Sequence, residues 1–245
     1  MFKPTARNLP LPEWEQVLSA AAHLQRILPG AVLVGGTASA MHAHHRFSRD
    51  ADHVLTDLRS RFDAVLAELE SVAGWKTARV QRPVQILGSL DGIETGIRQL
   101  IREAPLETMV VEHLGASITV PTAAEILRIK GVLILKRNAT RDYLDFIALA
   151  HQMGDAVMAA ALHSFDELYA QANGQSALQQ LQVQLASPLP YDLDDMLPTL
   201  KEYKNLDPKW HQWSAVTTAC VTAAMVIFDH ASLSATKPDT PQPNP

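Results

Sequence analysis

Apolar residues recur at helical spacing near the start of the chain. Trp14, Val17, Leu18, Ala21, Leu24 and Leu28 mark one face of a helix over residues 11–28, and Pro29-Gly30 ends it. The apolar run 31–34 predicts a short buried strand ending in Gly35-Gly36, with a helix over 37–44 after it. Residues 50–55 predict a second strand. Asp57 is expected to cap a helix whose apolar face is Leu58, Phe62, Val65, Leu66 and Leu69. Between 75 and 120 the pattern turns β-rich, with strands expected at 76–80, 84–90, 93–100, 109–111 and 117–120. Pro121-Thr122 opens a helix: Thr122 and Glu125 have the capping-box spacing, and the apolar run 126–135 follows. Thr140 is expected to cap the next helix, which carries Tyr143, Leu144, Phe146, Ile147 and Leu149. After Gly154 the pattern is helical throughout, with helices expected near 155–171, 176–186, 192–204 and 209–231. The tail 237–245 holds four prolines among polar residues and is expected to be disordered.

This order predicts an α+β fold. A mixed β-sheet flanked by helices occupies residues 1–121, an all-helical region follows over 122–235, and a disordered tail runs from 236 to 245. With 245 residues, 47% of them hydrophobic, the chain can bury one or two cores. Its single cysteine, Cys220, excludes an intrachain disulfide and points to a reducing cytoplasm. No apolar signal core follows Met1, and the longest apolar stretches, 126–135 and 219–228, are too short to span a bilayer. Neither secretion nor a membrane segment is expected.

Charge divides the chain. Residues 1–150 hold 17 Lys and Arg against 16 Asp and Glu, a net of +1; residues 151–245 hold 4 against 10, a net of −6. No strongly basic footprint for nucleic acid is present, and any contact with nucleotides or RNA is expected in the N-terminal part.

The segment that carries chemistry is Val34-Gly35-Gly36-Thr37, then, twelve residues on, Asp50-Ala51-Asp52. Side chains alternate across a strand, so Asp50 and Asp52 share a face. Two carboxylates aimed at one place repel unless a cation lies between them. Hard oxygen ligands suit Mg²⁺, which completes its shell with water and phosphate. Gly35 and Gly36 let the backbone approach a ligand, and the N–H groups of a helix start favour a phosphate.

Together these residues resemble the signature of the DNA polymerase β-type nucleotidyltransferases. The wider string, from Leu33 through His45-Arg46 and Ser48-Arg49-Asp50-Ala51-Asp52, is similar to the AbiEii/AbiGii toxin branch. Lys130 on a later helix and Arg141-Asp142-Tyr143-Leu144-Asp145 match it as well. The resemblance covers roughly 30–150 and implies a nucleotidyltransferase-type sheet, with the first two helices of the helical region completing the active site. It implies that Asp50 and Asp52 hold Mg²⁺ or Mn²⁺. It also implies that Gly35, Gly36, Thr37, Arg46, Lys130 and Arg141 bind the nucleoside triphosphate, and that Lys130 and Asp142 belong to the catalytic set. Asp142 or Asp145 would orient Lys130 or Arg141. The family places a further carboxylate in a later strand. Here that stretch reads Ile93-Glu94-Thr95-Gly96-Ile97-Arg98, where Glu94 is the candidate and Gly96 the competing register.

Other clusters carry less. His42, His44 and His45 with nearby His53 fit no common zinc spacing and are expected to line a cleft rim or face water. Trp210 and Trp213 are three apart on a predicted helix, so packing is favoured over base stacking. The expected activity is transfer of a nucleoside monophosphate from an NTP to an acceptor hydroxyl on RNA, such as a tRNA end, or on a protein. It would serve as the toxin of a toxin–antitoxin or abortive-infection pair, with a cognate antitoxin as partner. The competing readings are a small-molecule nucleotidyltransferase and a degenerate member that only binds nucleotide or partner.

Overall fold

The computed structural model describes residues 13–193, 200, 203 and 205–235. The expected tail and most of the expected 192–204 helix lie outside them. Two compact units form: residues 1–38 with 47–121, and residues 39–46 with 122–245.

The first unit holds α1 (Trp14–Ile27), β1 (Val32–Leu33), the start of α2 (Gly35–Ala43), β2 (Asp50–Leu55), α3 (Phe62–Glu70), β3 (Trp75–Gln81), β4 (Gln85–Leu90), β5 (Ile93–Gln99), β6 (Thr108–His113) and β7 (Ala116–Pro121). Five strands form one sheet in the order β1-β2-β5-β4-β3, while β6 and β7 make a separate hairpin. Only β2 and β5 run parallel; the other pairs are antiparallel. The helix and strand order of the sequence recurs, with strand ends moved by a residue or two.

Alternation sorts each strand into two faces. One face supplies Leu55, Ile86, Leu90 and Ile97 to the core, where Leu24 and Leu28 of α1 and Phe62, Val65 and Leu69 of α3 meet them. The other face carries Asp50 and Asp52 on β2, both half-buried. The hairpin is tied to α1 through Gln25, whose amide donates to Thr119 O (2.8 Å) and accepts from Thr119 N (2.7 Å).

Asp57 does not cap α3. Its carbonyl instead closes a turn with Ser60 N (3.1 Å) and Arg61 N (3.3 Å), its carboxylate pairs with Arg61 (2.7 Å), and the helix starts later, at Phe62. The helix after β1 starts at Gly35, earlier than the expected 37, so the two glycines form its first turn.

His53 is buried in the first unit, its Nδ1 bonded to Ala51 O at 2.8 Å. Burial pulls its pKa from 6.5 down to about 4, against a smaller upward pull from that hydrogen bond. The folded chain therefore keeps a neutral ring where an unfolded one takes up a proton. Stability is full above pH 6.5 and falls as the pH drops towards 4, by about 3 kcal/mol from this residue. Urea unfolding at pH 7.5 and at pH 4.5 should show that loss, and His53→Gln should remove most of it. Equal slopes for the two proteins across that range would refute the assignment.

The second unit holds α4 (Ala123–Arg137), α5 (Thr140–Met153), α6 (Asp155–Leu162), α7 (Phe165–Leu168), α8 (Ala177–Ala186), a 3-10 turn (Pro208–Trp210) and α9 (Trp213–Ala235). The expected helix 155–171 is thus two helices. Thr122 caps α4 through its side chain, which accepts from Glu125 N at 3.2 Å. Thr140 is not the cap of α5: Ala139 holds that position, and both the backbone N–H and the hydroxyl of Thr140 donate to Asp192 Oδ1 at 2.8 Å. A carboxylate 52 residues away thus does the capping, which local spacing could not reveal. Trp210 packs edge-on to His151 in the core, and the half-buried Trp213 packs edge-on to Tyr143. Cys220 is buried, which raises its thiol to about 12. Among the described residues no helix is long and apolar enough to cross a membrane.

Candidate active site

The geometry of the first unit starts from the β1–β2 pairing. Val34 N–H donates to Asp52 O at 2.8 Å, so the chain enters α2 directly beside Asp52. Gly35 makes that turn with φ +73°, and a Cβ there would lie 3.6 Å from Asp52 Cβ and 3.8 Å from Asp52 Oδ2. The positive φ calls for glycine. Two residues on, the Thr37 hydroxyl donates to the Asp50 carbonyl, fixing the start of α2 to β2. Thr37 is fully buried, so this hydroxyl is a strut between strand and helix. Ser48 Oγ donates to Asp50 Oδ1 at 2.7 Å and orients that carboxylate.

The first N–H groups of α2 favour an anion, yet two carboxylates stand beside them. An anionic ligand can enter only with a cation that offsets Asp50 and Asp52.

Strand β5 lies parallel to β2 with Asp50 beside Glu94, Asp52 beside Gly96 and Val54 beside Arg98. Glu94 and Gly96 therefore both stand on the acidic face, at different depths along it, and Glu94 is exposed. Arg98 Nη2 lies 4.0 Å from Asp52 Oδ1. Sequence reasoning missed Arg98. Its signal was parity: 94, 96 and 98 share a strand face, and the register beside Asp52 makes that face part of the site. Among the described residues no group of three or more His, Cys, Asp or Glu side chains gathers as a metal cluster. The donor set at Asp50 and Asp52 is two hard carboxylates, enough for one divalent ion that takes its other ligands from water and phosphate.

The second unit gathers a different set. Lys130 Nζ pairs with Asp145 Oδ2 at 2.7 Å and lies 3.6 Å from Asp142 Oδ1. Asp145 also accepts from Arg46 through Nε (2.8 Å) and Nη2 (3.0 Å), and lies 2.8 Å from His45 Nε2. Asp142 accepts from Arg137 through Nε and, at 2.6 Å, through Nη2. The Tyr203 ring lies under the Arg46 guanidinium, 5.7 Å from its centroid. Lys130 is 1% exposed, and Asp142 and Asp145 are fully buried. Spacing explains the meeting: Lys130 and Arg137 are two turns apart on one face of α4, and Asp142 and Asp145 are one turn apart on α5.

Burial pushes the Asp145 carboxyl up, but the charges of Arg46 and Lys130 and the His45 hydrogen bond outweigh it and hold it well below its usual range. Burial lowers His45, against the opposing pull of Asp145, so its ring is neutral at pH 7. His45 is thus an interior residue and not a rim residue, while His44 is exposed.

The site residues expected from sequence therefore fall into two groups. Gly35, Gly36, Thr37, Asp50 and Asp52 meet in the first unit, with Glu94 on the adjoining strand. Lys130, Arg46 and Asp142 join one network with Asp145 in the second, and Arg141 is exposed beside it on α5.

Comparison with known proteins adds the family. A stretch of 133 residues is 35% identical to the heme uptake protein MmpL11 of Mycobacterium tuberculosis, covering 53% of this chain and 13% of that protein. The probable transport protein MmpL11 of Mycobacterium leprae is 26% identical over 182 residues, 73% of this chain and 16% of that one. The chain thus spans about an eighth of the length of the Mycobacterium tuberculosis relative. Among solved structures, an antigenic nucleotidyltransferase-like protein from Paracoccidioides brasiliensis superposes with a TM-score of 0.43 at 15% identity, over 63% of this chain and 88% of that one. ANT(2″)-Ia in complex with adenylyl-2″-tobramycin gives 0.46 at 13% identity, over 64% and 98%. The family model of the nucleotidyl transferase AbiEii toxin, type IV toxin–antitoxin system, matches residues 16–217. With most of its length inside that match, the chain belongs to the AbiEii nucleotidyltransferase toxin family.

Proposed function

We propose that this chain transfers a nucleoside monophosphate from a nucleoside triphosphate to an acceptor hydroxyl on RNA or protein, as the toxin of a toxin–antitoxin pair. The observation that carries the reading is the placement of Asp50 and Asp52 on one strand face, with Gly35 at the start of α2 against Asp52. In the reaction the acceptor oxygen forms a bond to the α-phosphorus, the bond from that phosphorus to the β-phosphate's bridging oxygen breaks, and pyrophosphate leaves. Asp50 and Asp52 would hold Mg²⁺, or Mn²⁺, which when bound supplies the positive charge that lets the triphosphate approach and polarises the transferring phosphoryl group. Ser48 keeps the Asp50 carboxylate aimed, and the Thr37 strut keeps the α2 N-terminus against β2. The amides of Gly35 and Gly36 receive phosphate oxygens. Glu94, exposed beside Asp50, would accept the acceptor's proton.

Within the second unit, Arg141 is exposed and open to a phosphate. Lys130 and Arg46 are committed to Asp145 and act as positioning residues of that unit.

The test is a transfer assay with four labelled triphosphates, total RNA and a protein extract. Label moves to one fraction in Mg²⁺, and chelation or Asp50→Asn removes it; the labelled fraction names the acceptor. Expression should arrest growth, and co-expression of the cognate antitoxin should relieve it. Gly96 beside Asp52 favours a second reading, a chain that binds triphosphate without turnover. Calorimetric binding of a triphosphate with no transfer to any fraction would select that reading.

A further inference from the structure

The position beside Asp52 on β5 carries no side chain. A Cβ on Gly96 would lie 3.3 Å from Asp52 Oδ1 and 2.5 Å from Leu87 Cδ2, so the Leu87 side chain takes the space that a side chain at 96 would need. The next residue on the same face is Arg98, 4.0 Å from the same oxygen. That separation is an electrostatic contact and not a hydrogen bond. The guanidinium is held from the other side. Gln85 pairs with Arg98 in the β4–β5 register, and with its carboxamide turned so that the oxygen faces Arg98 it accepts from Nη1 and, at 3.2 Å, from Nη2. Arg98 is 46% exposed and stands beside Asp52.

Charge shows what this does. A carboxylate at 96 and a neutral residue at 98 would give Asp50, Asp52, 96 and Glu94 a formal charge of about −4. Gly96 and Arg98 together change the face by +2, the charge of one divalent ion. A guanidinium also presents paired N–H donors that match two phosphate oxygens, which a point charge does not.

We propose that Arg98 is the built-in cation of this site: it neutralises Asp52 in the free protein, binds the triphosphate when the nucleotide enters, and leaves the chain working with a single divalent ion. This inference rests on the nucleotide reading above and adds a residue and a stoichiometry to it.

The experiment titrates the full chain with Mn²⁺ in the presence of a non-hydrolysable nucleoside triphosphate, counting bound ions by electron paramagnetic resonance. The analogue's affinity is then measured for wild type, Arg98→Gln and Arg98→Lys. The expected result is one ion per chain, with affinity about ten- to a hundred-fold weaker in Arg98→Gln at an unchanged melting temperature. Arg98→Lys recovers part of that loss. In turnover, Arg98→Gln raises KM more than it lowers kcat. Two ions per chain, or Arg98→Gln binding the analogue as wild type does, overturns the proposal while leaving the nucleotide reading intact. A wild-type protein that binds neither Mn²⁺ nor analogue sinks the nucleotide reading and this inference with it.

Discussion

An Asp52→Asn protein should lose about a thousand-fold or more of its transfer rate while melting where the wild type melts. The rate loss follows from what the carboxylate does. Stabilising the charge on a transferring phosphoryl group is worth several kcal/mol, and each 1.36 kcal/mol is about ten-fold in rate. Asparagine keeps the shape of the side chain and one oxygen but gives up the charge that makes the face a cation site. The unchanged stability follows from exposure. The Asp52 and Arg98 side chains are 29% and 46% exposed and 4.0 Å apart, so losing their attraction costs about 1 kcal/mol at most. Relief of the repulsion between Asp50 and Asp52 offsets part of that. Single-turnover transfer with saturating labelled triphosphate, beside a thermal melt, reads both numbers. Rates within ten-fold of each other would remove Asp52 from the chemistry. A lower melting point together with a lost rate would mean that the carboxylate is holding the fold.

That pair of carboxylates was legible in sequence because the physics behind it is local. Strand alternation puts residues 50 and 52 on one face, and glycines before a helix mark a close approach. What was not legible came from contacts between distant segments. Arg98 enters the site only through the parallel register of β2 with β5, which no local pattern encodes. The same register shows why the choice between Glu94 and Gly96 could not be made from sequence: both stand on the acidic face, beside Asp50 and Asp52 respectively. The cap of α5 failed for a related reason, since Asp192 supplies from far along the chain what Thr140 was expected to supply itself. The resemblance implies that Lys130 binds phosphate, and its apolar neighbours separately require a partner for its charge. The need was real, and the partners are Asp145 and Asp142.

Asp145→Ala should destabilise the protein by about 3–5 kcal/mol, far more than any substitution at Asp50 or Asp52. The carboxylate is fully buried and is met by Lys130 at 2.7 Å, by Arg46 at 2.8 Å and by His45 at 2.8 Å. Its removal leaves Lys130 and Arg46 facing each other inside the second unit, 1% and 7% exposed, with Asp142 as the nearby carboxylate for Lys130. Breaking such a network from the acidic side is costly because the stranded cations cannot be rehydrated, whereas removing a cation with it restores the balance. Asp145→Leu with Lys130→Met should therefore lose less than Asp145→Leu alone, a coupling that a double-mutant cycle in urea measures. The acid side carries the same sign. A carboxyl held well below its usual range contributes stability that is full above an unfolded value of about 3.9 and is lost as the pH falls through the folded value. Asp145→Ala should accordingly flatten the acid limb of the stability curve below pH 4. Asp145→Ala unfolding within 1 kcal/mol of wild type at pH 7 would show that Arg46 and Lys130 find other partners. A loss of the expected size separates this network, which holds the second unit together, from the carboxylates on β2, whose removal touches only the chemistry.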